Sequence, residues 1–529
     1  MTRDLRVLAV AATLLLGYSA GELAFAQEQG GILRVPHFDS PASMSLHEES
    51  TIAANGPLMG VFNNLVMFDQ HVVQNSPRSI VPELATSWSW NEEGGDLTLP
   101  LRQGVRWHDR KPFTAKDVQC TWKLLTGKSS EKLRINPRKG WYNNLDEVTA
   151  NGDFEVTFHL KRAQPSFLAM LASGWSAVYP CHIHAREMRQ HPIGTGPFKF
   201  VEFKPNQSIT VARNPDYLKK GLPYLDGIEW MIIKDLSTRT LAFMGKGDLL
   251  YGVTIPQLKD IKSKAPDAIC EVLPANVSRN LLVNRDKPPF DNPEIRSAMS
   301  LSLDRKAFID ILYEGQGDIG GAMQPPPAGL WAMSADELKA LPGYDPAVQK
   351  NRAKAREIMQ RLGYGAEKRL PVTVSTRDVS YYRDPAVILI DQLKEIYMDG
   401  ELEPVDTTNW YPKVMRKDYT VGMNITESEV DDPDVLYYEN YACGAARNYT
   451  GYCNAEVDKL IDQQSIETDV AKRKQLVWQI ERELVEDDAR PVIFFPCGAV
   501  CRQPSVKGLT LMVNSIYNGQ RFEDLWLEK

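Results

Sequence analysis

The sequence has no excess of positive charge. Its 529 residues include 61 Lys and Arg against 68 Asp and Glu, which gives a formal net charge of −7 at neutral pH. A nucleic-acid-binding protein needs a basic face to neutralise phosphates. The charge balance therefore argues against a nucleic-acid partner, although it leaves room for a small local cationic pocket.

Long apolar runs are missing after the first 26 residues. The N-terminal segment carries Arg3 and Arg6, then the apolar run Val7 to Leu16, and ends in Ala24-Phe25-Ala26. This order is typical of a cleaved secretory signal, and the run is shorter than the roughly 20 residues that span a bilayer. We therefore expect a signal peptide at residues 1–26 and a soluble protein exported to the periplasm. The alternative is a buried N-terminal helix.

Signature motifs of catalysis are also missing from the sequence. It contains no GxSxG elbow, no HExxH, no Walker loop and no dinucleotide-binding glycine fingerprint. The string Cys181 to His184 resembles a metal site, but no further ligands follow at zinc spacing, and a helix start after Pro180 is the plainer interpretation. We predict no metal, no cofactor and no enzyme. A secreted hydrolase with a spatially assembled site is the alternative, because one sequence cannot show a triad.

Seven cysteines fit an exported chain, in which disulfides persist. Cys443 and Cys453 bracket a short polar loop, and we expect a disulfide between them. Cys497 and Cys501 are a second candidate pair only if the chain turns at Gly498, because strand residues four apart are too distant. An odd count leaves at least one thiol free. The three cysteines without informative spacing are Cys120, Cys181 and Cys270.

Strand and helix patterns predict an α/β protein whose two halves differ. The first half mixes strands (31–36, 87–108 with a turn at 91–95, 194–203, 208–213 and 226–233) with a helix at 114–125. In the second half strands alternate with helices, which predicts a doubly wound parallel sheet. The predicted strands there are 370–376, 401–405 and 419–426, and the predicted helices are 293–313, 346–362, 385–397, 410–417, 434–440, 455–468 and 470–488.

Three predicted strand ends in the second half carry polar or aromatic groups. They present Arg377, Trp410 and the acidic run from Glu427 to Asp434. Ligands of open α/β sheets bind outside the carboxyl ends of the strands. We therefore expect a cation, an aromatic ring and a carboxylate cluster to face one crevice. Their plainer interpretations are a surface salt bridge, a core aromatic and a solvated helix cap.

Six strings occur in this order along the chain: SWSWNEEGGDLTLPLRQGVRWHDRKPFTAKDVQCTWK, IGTGPFKF, RNPDYLKKGLPYLDGIE, NRDKPPFDNPEIRSAMSLSLDRKAFID, DDPDVLYYENYACG and YTGYCNAEVDKLIDQQ. Together they resemble the family 5 extracellular solute-binding proteins, the peptide/nickel group. This resemblance implies a bilobal periplasmic-binding-protein type II fold (cluster C) with an inserted subdomain. It also implies the solute-binding component of an ABC importer, a monomer that delivers a small solute to an inner-membrane permease with its ATPase subunits.

The resemblance also implies how the chain divides. One lobe would be built from both ends of the chain, and two crossings between the lobes would form a hinge. Closure would then select the bound form through contacts that exist only when both lobes meet the ligand. The expected divisions are lobe I at 27–275 with a subdomain at about 65–195, lobe II at 276–495, a return to lobe I at 496–529, and crossings near 274–284 and 491–499.

A ligand subsite follows from the same resemblance. In dipeptide-binding relatives an Asp three residues before an Asp-Pro pair captures the ligand ammonium, and Glu429 holds the matching position here. The resemblance thus implies a peptide or another amine-bearing solute, with a sugar, an opine or a metal chelate as alternatives, and hand-over to a chemoreceptor as another. It also matches relatives in which a disulfide staples the 443–453 loop. The candidate ligand-binding residues are Glu429, Trp410, Arg377, Tyr437, His37 and Glu427.

Overall fold

A computed structural model describes residues 27–529. The expected signal peptide at 1–26 lies outside the described residues. Within 27–529, every helix is too short or too polar to cross a membrane.

The described part of the chain contains 20 β-strands. In chain order they are β1 (Ile32–His37), β2 (Val66–Phe68), β3 (Ile80–Pro82), β4 (Ser89–Trp90), β5 (Asp96–Pro100), β6 (Leu145–Ala150), β7 (Glu155–Leu160), β8 (Phe198–Lys204), β9 (Ser208–Arg213), β10 (Gly227–Ile232), β11 (Leu249–Val253), β12 (Ile269–Pro274), β13 (Val277–Val283), β14 (Gly317–Asp318), β15 (Leu370–Arg377), β16 (Met398–Val405), β17 (Val421–Glu427), β18 (Val492–Arg502), β19 (Val506–Lys507) and β20 (Trp526–Leu527).

The same residues form 14 α-helices. They are α1 (Ile52–Met59), α2 (Ala115–Leu125), α3 (Phe167–Ala172), α4 (Leu236–Gly245), α5 (Ile255–Lys264), α6 (Pro293–Ser302), α7 (Arg305–Tyr313), α8 (Ala335–Lys339), α9 (Val348–Arg361), α10 (Ser380–Lys394), α11 (Thr407–Met415), α12 (Pro433–Asn440), α13 (Ala455–Ile466) and α14 (Val470–Glu486).

Two large hydrophobic cores define two lobes. The first core takes its residues mainly from positions before 250 and after 499, and we call the part of the chain around it lobe I. The second core draws on residues 281–494 and defines lobe II. Val430 and Val435 of the acidic segment join the first core, so the lobes are in contact. The chain therefore has the bilobal α/β architecture that the sequence predicts.

Lobe I contains two four-stranded sheets. One has the order β1-β10-β9-β8, with β1 parallel to β10, so the N-terminal strand completes a sheet formed mostly by strands far along the chain. The other is antiparallel, with the order β4-β5-β7-β6. Helix α2 packs on β6 and β7, and it starts at the predicted cap: the backbone N–H of Thr114 donates to the Asp117 carboxylate at 2.9 Å.

The largest sheet is mixed rather than wholly parallel. Its order is β11-β18-β13-β17-β15-β16, and only β15 with β16 and β17 are parallel pairs. Parallel neighbours need a crossover, which α10 and α11 provide. Strand β13 instead pairs antiparallel with β17 and with the returning strand β18. The parallel arrangement expected for the second half therefore applies to three strands.

Strand β18 runs through both lobes. Its first residues pair with β13, where Phe494 lies opposite Arg279. Its last six residues pair with β12, from Cys497 opposite Pro274 onwards. Only two residues, 275 and 276, join β12 to β13. The two passages of the chain between the lobes therefore lie side by side.

The structure contains three disulfides and one free cysteine, Cys497. The expected Cys443–Cys453 bond is confirmed. The candidate Cys497–Cys501 bond is wrong, because both residues lie on the extended strand β18, where Cys501 faces Cys270 of β12. Such a partner is set by sheet register, which the spacing of cysteines along the chain does not reveal. The disulfides are Cys443–Cys453, Cys120–Cys181 and Cys270–Cys501.

Helix boundaries differ from the sequence prediction where a polar cap intervenes. The predicted helix 293–313 is two helices, because Asp304 leaves helical geometry and accepts the N–H of Ala307 at 3.0 Å. Helix α11 begins at Thr407 rather than 410, since Asp406 caps it by accepting the N–H of Thr408 at 3.0 Å. Helix α10 begins five residues before Pro385. The earlier start of α11 changes which of its residues face the cleft.

Candidate ligand-binding cleft

A cavity of about 220 Å³ lies between the lobes. Its polar wall groups are few, and they include His37 on lobe I and Arg279 and Glu427 on lobe II. Apolar and aromatic side chains make up most of the remaining wall. They include Phe38, Ile52, Trp230, Tyr251, Val277, Tyr381, Tyr382, Ile425, Met512 and Ile516. The cavity therefore suits an apolar body with a few fixed polar contacts.

A second cavity of about 300 Å³ also lies between the lobes. Lobe II lines it with Thr407 and Tyr411 of α11 and with Arg447 of the 443–453 loop, and lobe I with Glu48. The Arg447 Nη2 and Glu427 Oε2 atoms lie 3.7 Å apart. Since Glu427 lines the first cavity and Arg447 the second, this ion pair links the walls of the two cavities.

Four buried charged residues form what we call the acid cluster: Glu427, Glu429, Glu439 and Arg447. Besides its contact with Glu427, the Arg447 guanidinium lies 2.8 Å from Glu439 and 3.1 Å from Glu429. The Oε2 atoms of Glu427 and Glu429 have no hydrogen-bond partner within residues 27–529. Burial raises the pKa of Glu429 well above its usual range, and the neighbouring Glu439 raises it further while Arg447 opposes the shift. Three carboxylates thus share one guanidinium.

A second guanidinium, Arg138, lies near the acid cluster without pairing with it. Its Nη2 donates to the carbonyls of Leu46 and Glu49, and the group stacks over Trp175 at 4.0 Å. With three carboxylates and two guanidinium groups, the buried region carries one negative charge in excess when all groups are ionised. A cation from a ligand can neutralise that charge.

The disulfide-closed loop 443–453 positions Arg447. The side-chain amide of Asn448 donates to the carbonyls of Tyr441, Ala442 and Tyr452, which fixes the loop from inside. The backbone N–H of Arg447 also donates to the Glu439 carbonyl at 3.1 Å. Sequence reasoning identified the disulfide but not Arg447, since a single Arg in a short polar loop has no distinguishing spacing.

Arg377, predicted as an anion contact, binds a carboxylate of the protein itself. Its Nη2 lies 2.5 Å from Asp39 Oδ2, and Thr407 Oγ1 donates to the same oxygen. Asp39 follows β1 in lobe I, whereas Arg377 ends β15 in lobe II, and both side chains are buried. The pair therefore joins the two lobes, and the anion that Arg377 meets in this structure is Asp39.

Two further predicted site residues are packed in hydrophobic clusters. Trp410 lies on α11 against Leu282 and Val414, and Tyr437 lies on α12 beside Leu436. Neither side chain lines the two interlobe cavities described above. Because α11 starts early, its residues at 407 and 411 face the cleft, and Trp410 faces the sheet. We do not include Trp410 or Tyr437 in the proposed site.

His37 lines the first cavity as a neutral side chain. Its Nε2 lies 3.2 Å from the Ala53 carbonyl, which makes Nε2–H the donor. Burial lowers the pKa of His37 to about 4, partly offset by that hydrogen bond. At neutral pH His37 therefore offers the cavity an uncharged imidazole.

The metal-like string holds other partners. Cys181 is bonded to Cys120, His182 lies 2.7 Å from Asp109, and His184 contacts a surface carboxylate. Among residues 27–529, no group of three or more His, Cys, Asp or Glu side chains is placed to hold a metal ion.

Asp431, in the acidic run, makes stability depend on pH. Its Oδ2 accepts hydrogen bonds from the Leu330 N–H at 3.1 Å and from Asn514 Nδ2 at 3.4 Å. Burial raises the pKa of Asp431 from 3.8 to about 7. The folded state therefore keeps a proton that the unfolded state releases above pH 4, so this group lowers stability as the pH rises towards 7.

Asp431→Asn should remove that contribution, because an amide oxygen can accept both hydrogen bonds and carries no proton to lose. We expect urea unfolding at about pH 5 and about pH 8 to show a smaller loss of stability in the variant than in the wild type. Equal losses in the two proteins would show that Asp431 does not carry this pH dependence.

Solved structures share the fold over almost the whole chain. The Helicobacter pylori periplasmic binding protein DppA, in complex with the peptide STSA, is 22% identical, with a TM-score of 0.84 over 95% of this chain and 99% of that one. Bacillus subtilis AppA, in complex with a nonapeptide, is 22% identical, with a TM-score of 0.82 over 95% of this chain and all of that one. The chain thus has the bilobal type II periplasmic-binding-protein fold.

Curated relatives are also distant in sequence. A probable di/tripeptide-binding protein of Pseudomonas aeruginosa is 24% identical over 489 residues, which cover 85% of this chain and 87% of the relative. The heme-binding protein A of Haemophilus influenzae is 28% identical over 334 residues, which cover 59% of this chain and 58% of the relative. The family model described as bacterial extracellular solute-binding proteins, family 5 Middle, matches residues 79–448. The chain therefore belongs to the family 5 bacterial extracellular solute-binding proteins.

Proposed function

We propose that the protein is the periplasmic solute-binding component of an ABC importer. It captures an amine-bearing, peptide-like solute between its lobes and delivers it unaltered to an inner-membrane permease. The observation that carries the ligand class is the acid cluster, in which three buried carboxylates share Arg447. Three of the proteins named above are peptide binders by name or bound ligand, which supports the same class.

The proposed mechanism is closure about a hinge formed by β12, β13 and β18. The adjacent chain crossings at 274–277 and along β18 support this assignment, since both lie where the two cores separate. The division into lobe I (27–275 and 496–529, with a subdomain at about 65–195) and lobe II (276–495) is part of the proposal. Closure brings Asp39 against Arg377 and covers the ligand.

Glu429 is the proposed ammonium contact. Like Trp410 and Tyr437 it lines neither cavity itself, but unlike them it contacts the cavity-lining Arg447. Its Oε1 already accepts from Arg447 at 3.1 Å, and its Oε2 is unpartnered. An ammonium beside Oε2 would donate a charge-assisted hydrogen bond to it. The Glu429 backbone carbonyl accepts from Ser515 and Asn518, which holds the residue in place independently of its side-chain charge.

Glu429→Gln should weaken binding of an amine-bearing solute by about tenfold or more, since a hydrogen bond to a charged group contributes about 1.5–3 kcal/mol. A thermal-shift screen of peptides, opines, sugars and metals identifies the solute, and calorimetry then compares the two proteins. Thermal stability should change little, because the amide oxygen can still accept from Arg447.

Glu83→Gln is the matched control for this experiment. Glu83 is also buried and paired with an arginine, Arg521 at 2.9 Å, but lies within lobe I away from the interlobe cavities. The control should lower stability without changing affinity for the solute. Equal affinity of the Glu429→Gln and wild-type proteins would remove Glu429 from the site. Steady turnover of ester, peptide or glycoside substrates would contradict the proposal that the solute leaves unaltered.

A further inference from the structure

Arg279 is a buried cation on the wall of the first interlobe cavity. Its side chain lies on β13 and is only 4% exposed. Its Nη2 donates to the Tyr313 hydroxyl at 3.0 Å, whereas Nε and Nη1 have no partner among the described residues. Two other buried arginines of lobe II, Arg377 and Arg447, each pair with carboxylates. Within residues 27–529, Arg279 makes no such pair.

An unpaired buried guanidinium is costly, because an apolar environment cannot replace the water it has lost. A hydroxyl and the Phe494 ring, whose centroid lies 5.9 Å away, compensate only part of that cost. The surrounding cavity wall is mostly apolar, so an anion in the cavity would be weakly screened and strongly attracted. Arg279 therefore provides an anion position that no carboxylate within residues 27–529 fills.

We propose that Arg279 anchors the carboxylate of the solute while the acid cluster binds its ammonium. This inference rests on the proposed function and narrows its substrate class. Glu427 lines the same cavity as Arg279, so both ends of a zwitterion have a partner there. A guanidinium can hold a carboxylate through two parallel hydrogen bonds, which gives direction as well as charge.

The volume of the cavity that both groups line limits the size of the solute. Its volume of about 220 Å³ exceeds the roughly 150 Å³ of an apolar cavity that binds benzene. An aromatic or branched aliphatic group with a few further atoms therefore fits. The substrate class is a short peptide, or an amino acid derivative of similar size, with a free amine, a free carboxylate and an apolar side chain.

A charged residue in the interior of a strand is the sequence signal that points to Arg279. Strand β13 reads VSRNLLV, and all seven of its residues are buried. Arginine is seldom buried in a strand unless it is paired or has a functional partner. Arg377 drew attention because it stands at a strand end, yet Asp39 already neutralises it.

The test compares Phe-Ala, its C-terminal amide and its N-acetyl form by calorimetry on the wild type and Arg279→Gln. The wild type should bind Phe-Ala at least about tenfold more tightly than the amide, as expected for a charged pair. In Arg279→Gln the preference for Phe-Ala over its amide should fall to about twofold or less, while the N-acetyl form still binds more weakly than Phe-Ala. Arg279→Lys, which keeps the charge without the two-pronged geometry, should retain an intermediate ratio.

Arg296→Gln is the matched control. Arg296 is also buried without a carboxylate partner in the described chain, but it donates to the backbone carbonyls of Phe290 and Asp291 and lines neither interlobe cavity. The Arg296→Gln variant should be less stable than the wild type. Its ratio of affinities for Phe-Ala and for the amide should equal that of the wild type. If Arg279→Gln fails to fold, the inference is tested by the wild-type ratio of affinities for Phe-Ala and its amide, and by the same ratio in Arg279→Lys.

Three results would overturn the inference, and they show whether the proposed function fails with it. Equal binding of Phe-Ala and its amide by the wild type would remove Arg279 as a carboxylate anchor and leave the proposed function standing. The same holds if Arg279→Gln keeps the full preference for the acid. No binding of any of the three compounds would contradict the peptide-like ligand class itself, and the inference with it.

Discussion

Asp39→Asn is expected to shift the protein towards an open form and to weaken solute binding by about a hundredfold or more. The substitution leaves the buried Arg377 guanidinium without its charged partner, a loss that costs about 3–5 kcal/mol in comparable buried pairs. Because Asp39 and Arg377 belong to different lobes, the cost falls mainly on the closed form. Small-angle scattering should show a larger radius of gyration, and calorimetry the lower affinity.

Lys234→Gln provides the control for the interlobe pair. Lys234 Nζ lies 3.9 Å from Asp39 and 3.1 Å from Asp406 and is partly exposed. Exposed ion pairs contribute about 0–1 kcal/mol, so this variant should bind the solute within about fivefold of the wild type. If Asp39→Asn has no greater effect than Lys234→Gln, the buried pair does not hold the lobes together.

Arg447→Gln should be the most destabilising single change in the acid cluster. It leaves three buried carboxylates without their shared cation, which we expect to cost about 3–5 kcal/mol at neutral pH by urea unfolding. The difference in unfolding free energy between the variant and the wild type should become smaller as the pH falls. Burial already raises the pKa of Glu427 and Glu429, and without Arg447 the folded state binds protons more strongly than the unfolded state does.

An exposed arginine pair sets the scale for that measurement. Arg361 pairs with Glu294 on the surface, with 59% of the arginine side chain exposed. Arg361→Gln should therefore lower the free energy of unfolding by less than about 1 kcal/mol. This difference from the wild type should not change as the pH falls. A loss in Arg447→Gln no larger than in Arg361→Gln would contradict the charge balance assigned to the acid cluster.

Local signals in the sequence predicted local structure well. The Thr114 to Asp117 box marked the start of α2, and Asn292 marked the start of α6 by accepting the N–H of Glu294 at 2.9 Å. Each of these signals acts over three residues or fewer, so the chain carries the information in one place. The Asp304 cap was missed because an apolar periodicity continues across it.

Partners distant in sequence could not be predicted in the same way. Asp39 meets Arg377 across 338 positions, and Cys270 meets Cys501 across 231. Sheet register and lobe closure create both contacts, and neither leaves a spacing pattern. The candidate site changed accordingly: Glu427, Glu429 and His37 lie at the cleft or its acid cluster, Arg377 joins the lobes, and Arg447 and Arg279 emerge only from the fold.

Native mass spectrometry of the protein purified from its own cells tests the central claim most directly. The account predicts one bound small molecule per chain, carrying an amine and a carboxylate, which is released on unfolding with its covalent structure intact. A chain without any such molecule, in a body that scattering finds rigid and undivided, would contradict the account. So would the release of a product chemically altered from the compound supplied.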